Sequence, residues 1–150
     1  MHDTSLFAFS ELPTPLLYDI LRLRSDVFIV EQNAVYTDID GLDEHALHLC
    51  IMDGDTLAGY ARLFAPGIKF DEASVGRIVL APLYRGQGMG KYLVQTGMDE
   101  IRRRHPHAAI RIEAQQHLRG FYESLGFTVV SAVYDWGGIP HVKMSTQAAA

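Results

Sequence analysis

The segment LAPLYRGQGMGKYL, Leu80 to Leu93, sets three glycines and two cations between an apolar run and a helical pattern. Gly86, Gly88 and Gly90 alternate, so backbone N–H groups there can point one way and another molecule can approach closely. A loop of this kind at a helix start holds an anion: a dinucleotide, a nucleoside triphosphate or the pyrophosphate of coenzyme A. The bland alternative is a tight turn with no ligand. The dinucleotide fingerprint G-x-G-x-x-G does not fit, because the glycines run G-x-G-x-G and no acid closes a second strand about 20 residues on. The triphosphate loop G-x-x-x-x-G-K-[ST] fails at Arg85, which stands where glycine is needed, and at Tyr92, which offers Mg²⁺ no hydroxyl as a Ser or Thr would. What remains is R-x-x-G-x-G, Arg85 to Gly90, opening a helix whose dipole favours an anion.

Other residues invite chemical readings and mostly deserve structural ones. Cys50 is the lone cysteine, so no internal disulfide forms, and its neighbours in LHLCIM read as a buried strand. His45 and His48 straddle a loop and a strand, which is not the i, i+4 helical spacing of a metal pair. DIDGLDE lacks the spaced ligands and closing Glu of a calcium loop. No metal is expected. Arg102 to Arg104 read as a solvated helix end.

The elements that must position this loop follow from periodicity. SLFAF reads as a first strand. Thr14 as N-cap and Pro15 at the first turn open a helix whose Leu17, Ile20, Leu21, Val27 and Phe28 recur at helical spacing to about Glu31. NAVYTDIDGLDEHA is irregular and acidic, a loop or a broken second helix. His48–Met52 and Leu57–Phe64 form a hairpin around DGD. ASVGRIVLAP is a strand ending at Pro82, with Gly76 hinting at a bulge. A helix follows from Gly88 to Arg104, then the strand AAIRIEAQ, a short helix stopped by Gly126, and a closing hairpin of TVVSAVY and IPHVKM around DWGG. The order β–α–(α)–β–β–β–α–β–α–β–β is a mixed α/β single domain over residues 1–150, with a parallel crossover around the Gly-rich loop.

Composition narrows the partners. The chain has 150 residues, 48% hydrophobic, with a formal net charge of −5. That charge argues against nucleic acid, whose binding needs a basic face. No run approaches the ~18 apolar residues of a membrane span, and the N-terminus has no cationic leader. The expected compartment is the cytoplasm.

Together LRSDVFIVEQ, DIDGLDEHALHL, GRIVLAPLYRGQGMG, EAQQHLRGFYESLGF and GIPHVKM resemble the ElaA-type branch of the GCN5-related N-acetyltransferases over about residues 5–145. The resemblance implies a bent mixed β-sheet splayed between strands 4 and 5, flanked by helices, with acetyl-CoA in the wedge and no metal. It implies transfer of acetyl to a primary amine, with Ile78, Val79, Leu80, Arg85, Gly86, Gln87, Gly88, Met89, Gly90 and Lys91 holding the cofactor. Tyr122, in FYESLGF, takes the place of the family's general acid beside the thioester sulfur. Glu31 is the first choice as base and could equally bind a cationic acceptor or cap a network; Glu113, His117 or water are the alternatives, and Arg119 lies toward the phosphates. Trp136 is expected at a pocket rim or an interface, and the chain as monomer or homodimer. The rival readings are a coenzyme A-binding sensor without catalysis and a transferase of another acyl group.

Overall fold

A computed structural model describes residues 2–148. Its strands are β1 (Asp3–Ala8), β2 (Leu47–Asp53), β3 (Thr56–Phe64), β4 (Ala73–Leu80), β5 (Ile110–Gln115), β6 (Thr128–Val129), β7 (Tyr134–Trp136) and β8 (Ile139–Ser145). The helices are α1 (Thr14–Arg24), α2 (Met89–Arg104) and α3 (Arg119–Glu123). All strands join one sheet in the order β1-β2-β3-β4-β5-β8-β6, with β7 also on β8. Every pairing is antiparallel except β4 with β5.

That parallel pair is short. Ala73 faces Ile110 and Ser74 faces Arg111, and there the ladder stops. Beyond Ser74 the two strands part, so the expected splay between strands 4 and 5 is present. Helices cover both faces. Leu93, Val94, Met98 and Ile101 of α2 pack with Leu63, Val75 and Ile112 in one core. Ile20 of α1 and Val27 pack with Cys50, Tyr60 and Val79 in a second. Gly97 lets α2 lie close: a Cβ there would sit 3.0 Å from Leu63 Cδ2.

The first helix departs from its expected form at both ends. Thr14 lies inside the helix and Pro13 is the N-cap, so Thr14 makes no side-chain cap. At the other end, residues Ser25–Glu31 continue as π-helix, with Gln32 N–H donating to Val27 O and Ala34 N–H to Ile29 O. The extra residue per turn rotates Glu31 and Gln32 to a new azimuth. The closing strand TVVSAVY is not continuous either. β6 and β7 pair opposite ends of β8, and between them Ser131 Oγ accepts the Lys143 N–H. A side chain thus replaces one rung of the ladder.

The bulge foreshadowed at Gly76 falls on the next residue. Tyr60 pairs with Val79 and Arg62 with Gly76, so two β4 residues, Arg77 and Ile78, oppose Ala61. Arg77 takes the left-handed φ of 47°. Its guanidinium enters a buried ionic lattice. Arg24 binds Asp38 and Asp43, Arg62 binds Asp40 and Asp43, and Arg77 binds Asp38 and Asp40. Three arginines against three aspartates leave no net charge, the condition under which buried ions are tolerated. The acidic loop is therefore a clamp, fastening the chain after the π-helix to β3 and β4.

Candidate functional site

The parted strands leave a cleft of about 540 Å³. One wall is β4, with Ile78, Val79 and Leu80. The other carries Ile112 and Glu113 of β5 and Tyr122 of α3. Glu31, Gln32 and Tyr36 border it on one side, and Trp136, Ile139 and His141 of the β7–β8 hairpin on another. Trp136 sits at the rim against Tyr36, ring centroids 5.9 Å apart.

At the end of β4 the chain turns through Pro82–Tyr84 and reaches α2 by the glycines. Gly86 and Gly88 have φ of 76° and 78°, which L-residues adopt only with strain. A Cβ at either would meet no protein atom within 4 Å. Glycine is thus required by the backbone, while the space before it is left to a ligand. Among the described residues, no backbone acceptor takes the N–H groups of Gly86, Gln87, Gly88, Met89, Gly90 or Lys91; Tyr92, bonded to Gly88 O, is the first that is satisfied. Buried Met89 fixes the start of α2 in the core. Gln87 donates to Leu83 O, which braces the loop. A row of free N–H groups at a helix N-terminus suits a pyrophosphate.

On β4, the Ala81 N–H donates to Ala58 O. Successive N–H groups alternate sides along a strand, so the Leu80 N–H points to the parted edge. It is placed to meet a carbonyl in the wedge.

Tyr122 is 7% exposed and stands edge-on to Phe121 and Phe127. Burial pushes its phenol up to about 12, so it is protonated at neutral pH. Glu31 and Arg85 form a bidentate pair at 2.8 Å for each bond. The Arg85 hydrogen bonds hold the Glu31 carboxyl below its usual range. Glu113 accepts from Tyr134 Oη at 2.6 Å and lies 3.4 Å from Lys69 Nζ. Burial works to raise its pKa, yet these partners hold it low. His117 lines the cleft from the exposed turn after β5. Arg119 pairs with Glu123 along α3.

Cys50 lies in the second core, outside this lining, and burial pushes its thiol up to about 12. Among the described residues no cluster of three His, Cys, Asp or Glu side chains could hold a metal. Among the described residues, no helix is long and apolar enough to cross a membrane. Sequence reasoning missed Arg77, Lys69 and Tyr134 on or beside the cleft. Only the run of acids in DIDGLDEH signalled a need for buried cations.

The cleft and its loop can be set beside known proteins. A family model described as an acetyltransferase (GNAT) domain matches residues 22–148. Protein ElaA of Escherichia coli is 36% identical over 140 residues, covering 92% of each chain. A UPF0039 protein of Synechocystis is 38% identical over 137 residues, covering 91% of this chain and 89% of its own. The crystal structure of E. coli ElaA superposes with a TM-score of 0.91 at 34% identity, over 98% of this chain and all of that one. An acyl-CoA N-acyltransferase of Pseudomonas aeruginosa gives 0.92 at 32% identity, over 97% and 99%. The parted fourth and fifth strands, the free N–H row and these likenesses agree: the chain belongs to the GNAT acyltransferase family, on its ElaA-type branch.

Proposed function

We propose that this protein transfers an acetyl group from acetyl-CoA to a primary amine, the nitrogen attacking the thioester directly while both substrates are bound. In this reading residues 1–150 are a single catalytic domain of the cytoplasm, using no metal and forming no covalent intermediate. The observation that carries it is that Arg85 and Gly90, from the loop that bears the unbonded N–H row, line one cleft with Tyr122.

The residues divide the chemistry as follows. The N–H groups of Gly86, Gln87, Gly88, Met89, Gly90 and Lys91, with the Arg85 guanidinium, hold the pyrophosphate. Ile78, Val79 and Leu80 run along the pantetheine, and the Leu80 N–H polarises the carbonyl as negative charge grows on its oxygen. The amine forms a C–N bond as the C–S bond breaks. Tyr122 hydrogen-bonds the departing thiolate and passes it a proton, and water then returns a proton to the phenol. The proton lost by the amine goes to Glu31 once Arg85 releases it, or to His117. Glu113 is already engaged by Tyr134 and Lys69, and it shapes the acceptor end. Cys50 has no part.

Calorimetric titration with acetyl-CoA, with NAD and ATP as controls, tests the donor. Selective binding of acetyl-CoA is expected, followed by thiol release when a panel of amines is added. Well-folded protein that ignores acetyl-CoA overturns the reading. Binding without thiol release on any amine favours the sensor, and release with a longer acyl-CoA but not acetyl-CoA moves the donor.

A further inference from the structure

The π-helical turn ends in two residues that fasten to both lips of the wedge. Glu31 grips Arg85, the residue that follows the Pro82–Tyr84 turn, through both carboxylate oxygens. Gln32, its neighbour, accepts from Gln115 at the end of β5 at 3.1 Å. The Glu31–Arg85 pair is about half exposed, with side chains 46% and 40% accessible. It therefore exchanges partners readily, since pairs in contact with water are held weakly.

Arg85 also opens the stretch whose free N–H groups suit a pyrophosphate. A phosphate anion and the Glu31 carboxylate call on the same planar fork, and their like charges repel across it. One guanidinium cannot serve both at full strength. We propose, building on acetyl-CoA as donor, that Glu31 and the donor pyrophosphate compete for Arg85, so that filling the cradle uncovers the Glu31 carboxylate as the site for the acceptor's ammonium group. Arg85 is then a coupling residue between two substrates: it hides an anionic acceptor site until the donor is seated. The acceptors this favours are cationic amines. The ammonium loses one proton to water by way of Glu31. The neutral amine attacks and sheds a second as the C–N bond forms and the C–S bond breaks. The product amide is neutral, and with Glu31 ionised again the departure of coenzyme A restores the Glu31–Arg85 pair.

The coupling is tested by titrating acetyl-CoA into the wild type, Glu31→Gln, Arg85→Gln and the double variant. Both positions are exposed, so all four are expected to fold, which circular dichroism checks. Glu31→Gln, by freeing Arg85, is expected to tighten acetyl-CoA about three- to fivefold. Arg85→Gln is expected to weaken it about tenfold or more. In the Arg85→Gln background the Glu31 change is expected to do nothing. S-acetylpantetheine, which has no pyrophosphate, should bind the wild type and Glu31→Gln alike.

Glu31→Gln that leaves acetyl-CoA affinity unchanged, or weakens it, overturns the competition. Tightening that persists without Arg85 also overturns it, because it would be a general effect of removing one negative charge. A wild type that binds no acetyl-CoA at all defeats the donor assignment itself, which is a separate and earlier failure.

Discussion

Arg77 Nε and Asp38 Oδ1 lie 2.8 Å apart at the kink in β4, an ion pair whose atoms are too misaligned to count as a hydrogen bond. The same arginine is held at φ 47° where the β3–β4 register slips, and its guanidinium lies over the Tyr36 ring at 5.6 Å. One side chain thus ties the bulge that precedes Ile78–Leu80 to the loop that borders the cleft.

Arg77→Ala is expected to lower the unfolding free energy by about 3–5 kcal/mol, because it strands buried Asp38 without one of its cations. Arg77→Gly relieves the backbone strain but loses the same charge, so it should recover only about 1 kcal/mol of that. Urea denaturation measures both. Full stability in Arg77→Gly would mean that the lattice contributes nothing.

Tyr122→Phe should lower turnover by roughly 10²–10⁴-fold while leaving acetyl-CoA affinity and the fold unchanged. The wild-type rate should show no loss from Tyr122 ionisation below pH 10, since its phenol loses its proton only near 12. Steady-state kinetics with a thiol reagent decides. Unchanged turnover removes Tyr122 from the acid's role.

Gly88→Leu is expected to abolish measurable acetyl-CoA binding. A Cβ there would meet no protein atom within 4 Å, and the rest of the side chain would extend into the space before the free N–H groups. The positive φ adds strain of about 1–2 kcal/mol, small enough to leave the protein folded. Retained affinity in a folded variant contradicts the cradle.

His48 makes the protein acid-sensitive. Its Nε2–H donates to Asp43 O at 2.8 Å and its Nδ1 accepts from Tyr60 Oη at 2.6 Å, so it is neutral in this arrangement. Burial lowers its pKa from the ordinary 6.5. As pH falls below 6.5 the unfolded chain takes up a proton that the folded one refuses, and stability drops. Asp40 and Asp43 are also held low against burial by their arginines, so they extend the loss as pH falls below 3.8, where unfolded carboxylates protonate. His48→Gln should flatten the slope of stability between pH 6.5 and 5 without altering the lower limb. An unchanged slope there would clear His48.

By itself the sequence determined what is written in neighbouring residues. The period of apolar positions marked each helix and most strands, because burial of one face imposes 3.6 or 2 on the chain. The glycine loop at the start of α2 was legible because its parts, Arg85 to Lys91, are contiguous and their conformation is that of the backbone. Tyr122 was singled out only through the likeness of FYESLGF to a family.

Tertiary structure decided what depends on distant partners. Glu31 read as a free base at a helix end; 54 positions on, Arg85 holds both its oxygens. The acids of the loop read only as an irregular acidic stretch with no partners named, and the fold brings Arg24, Arg62 and Arg77 to them in the interior. No local preference selects those pairs, since a carboxylate and a guanidinium attract in any register. The packing of α1 and the β3–β4 ladder brings them within reach. The π-turn and the broken last strand belong to the same class. Each gives up local regularity to gain a contact elsewhere, a gain that exists only once the chain has folded.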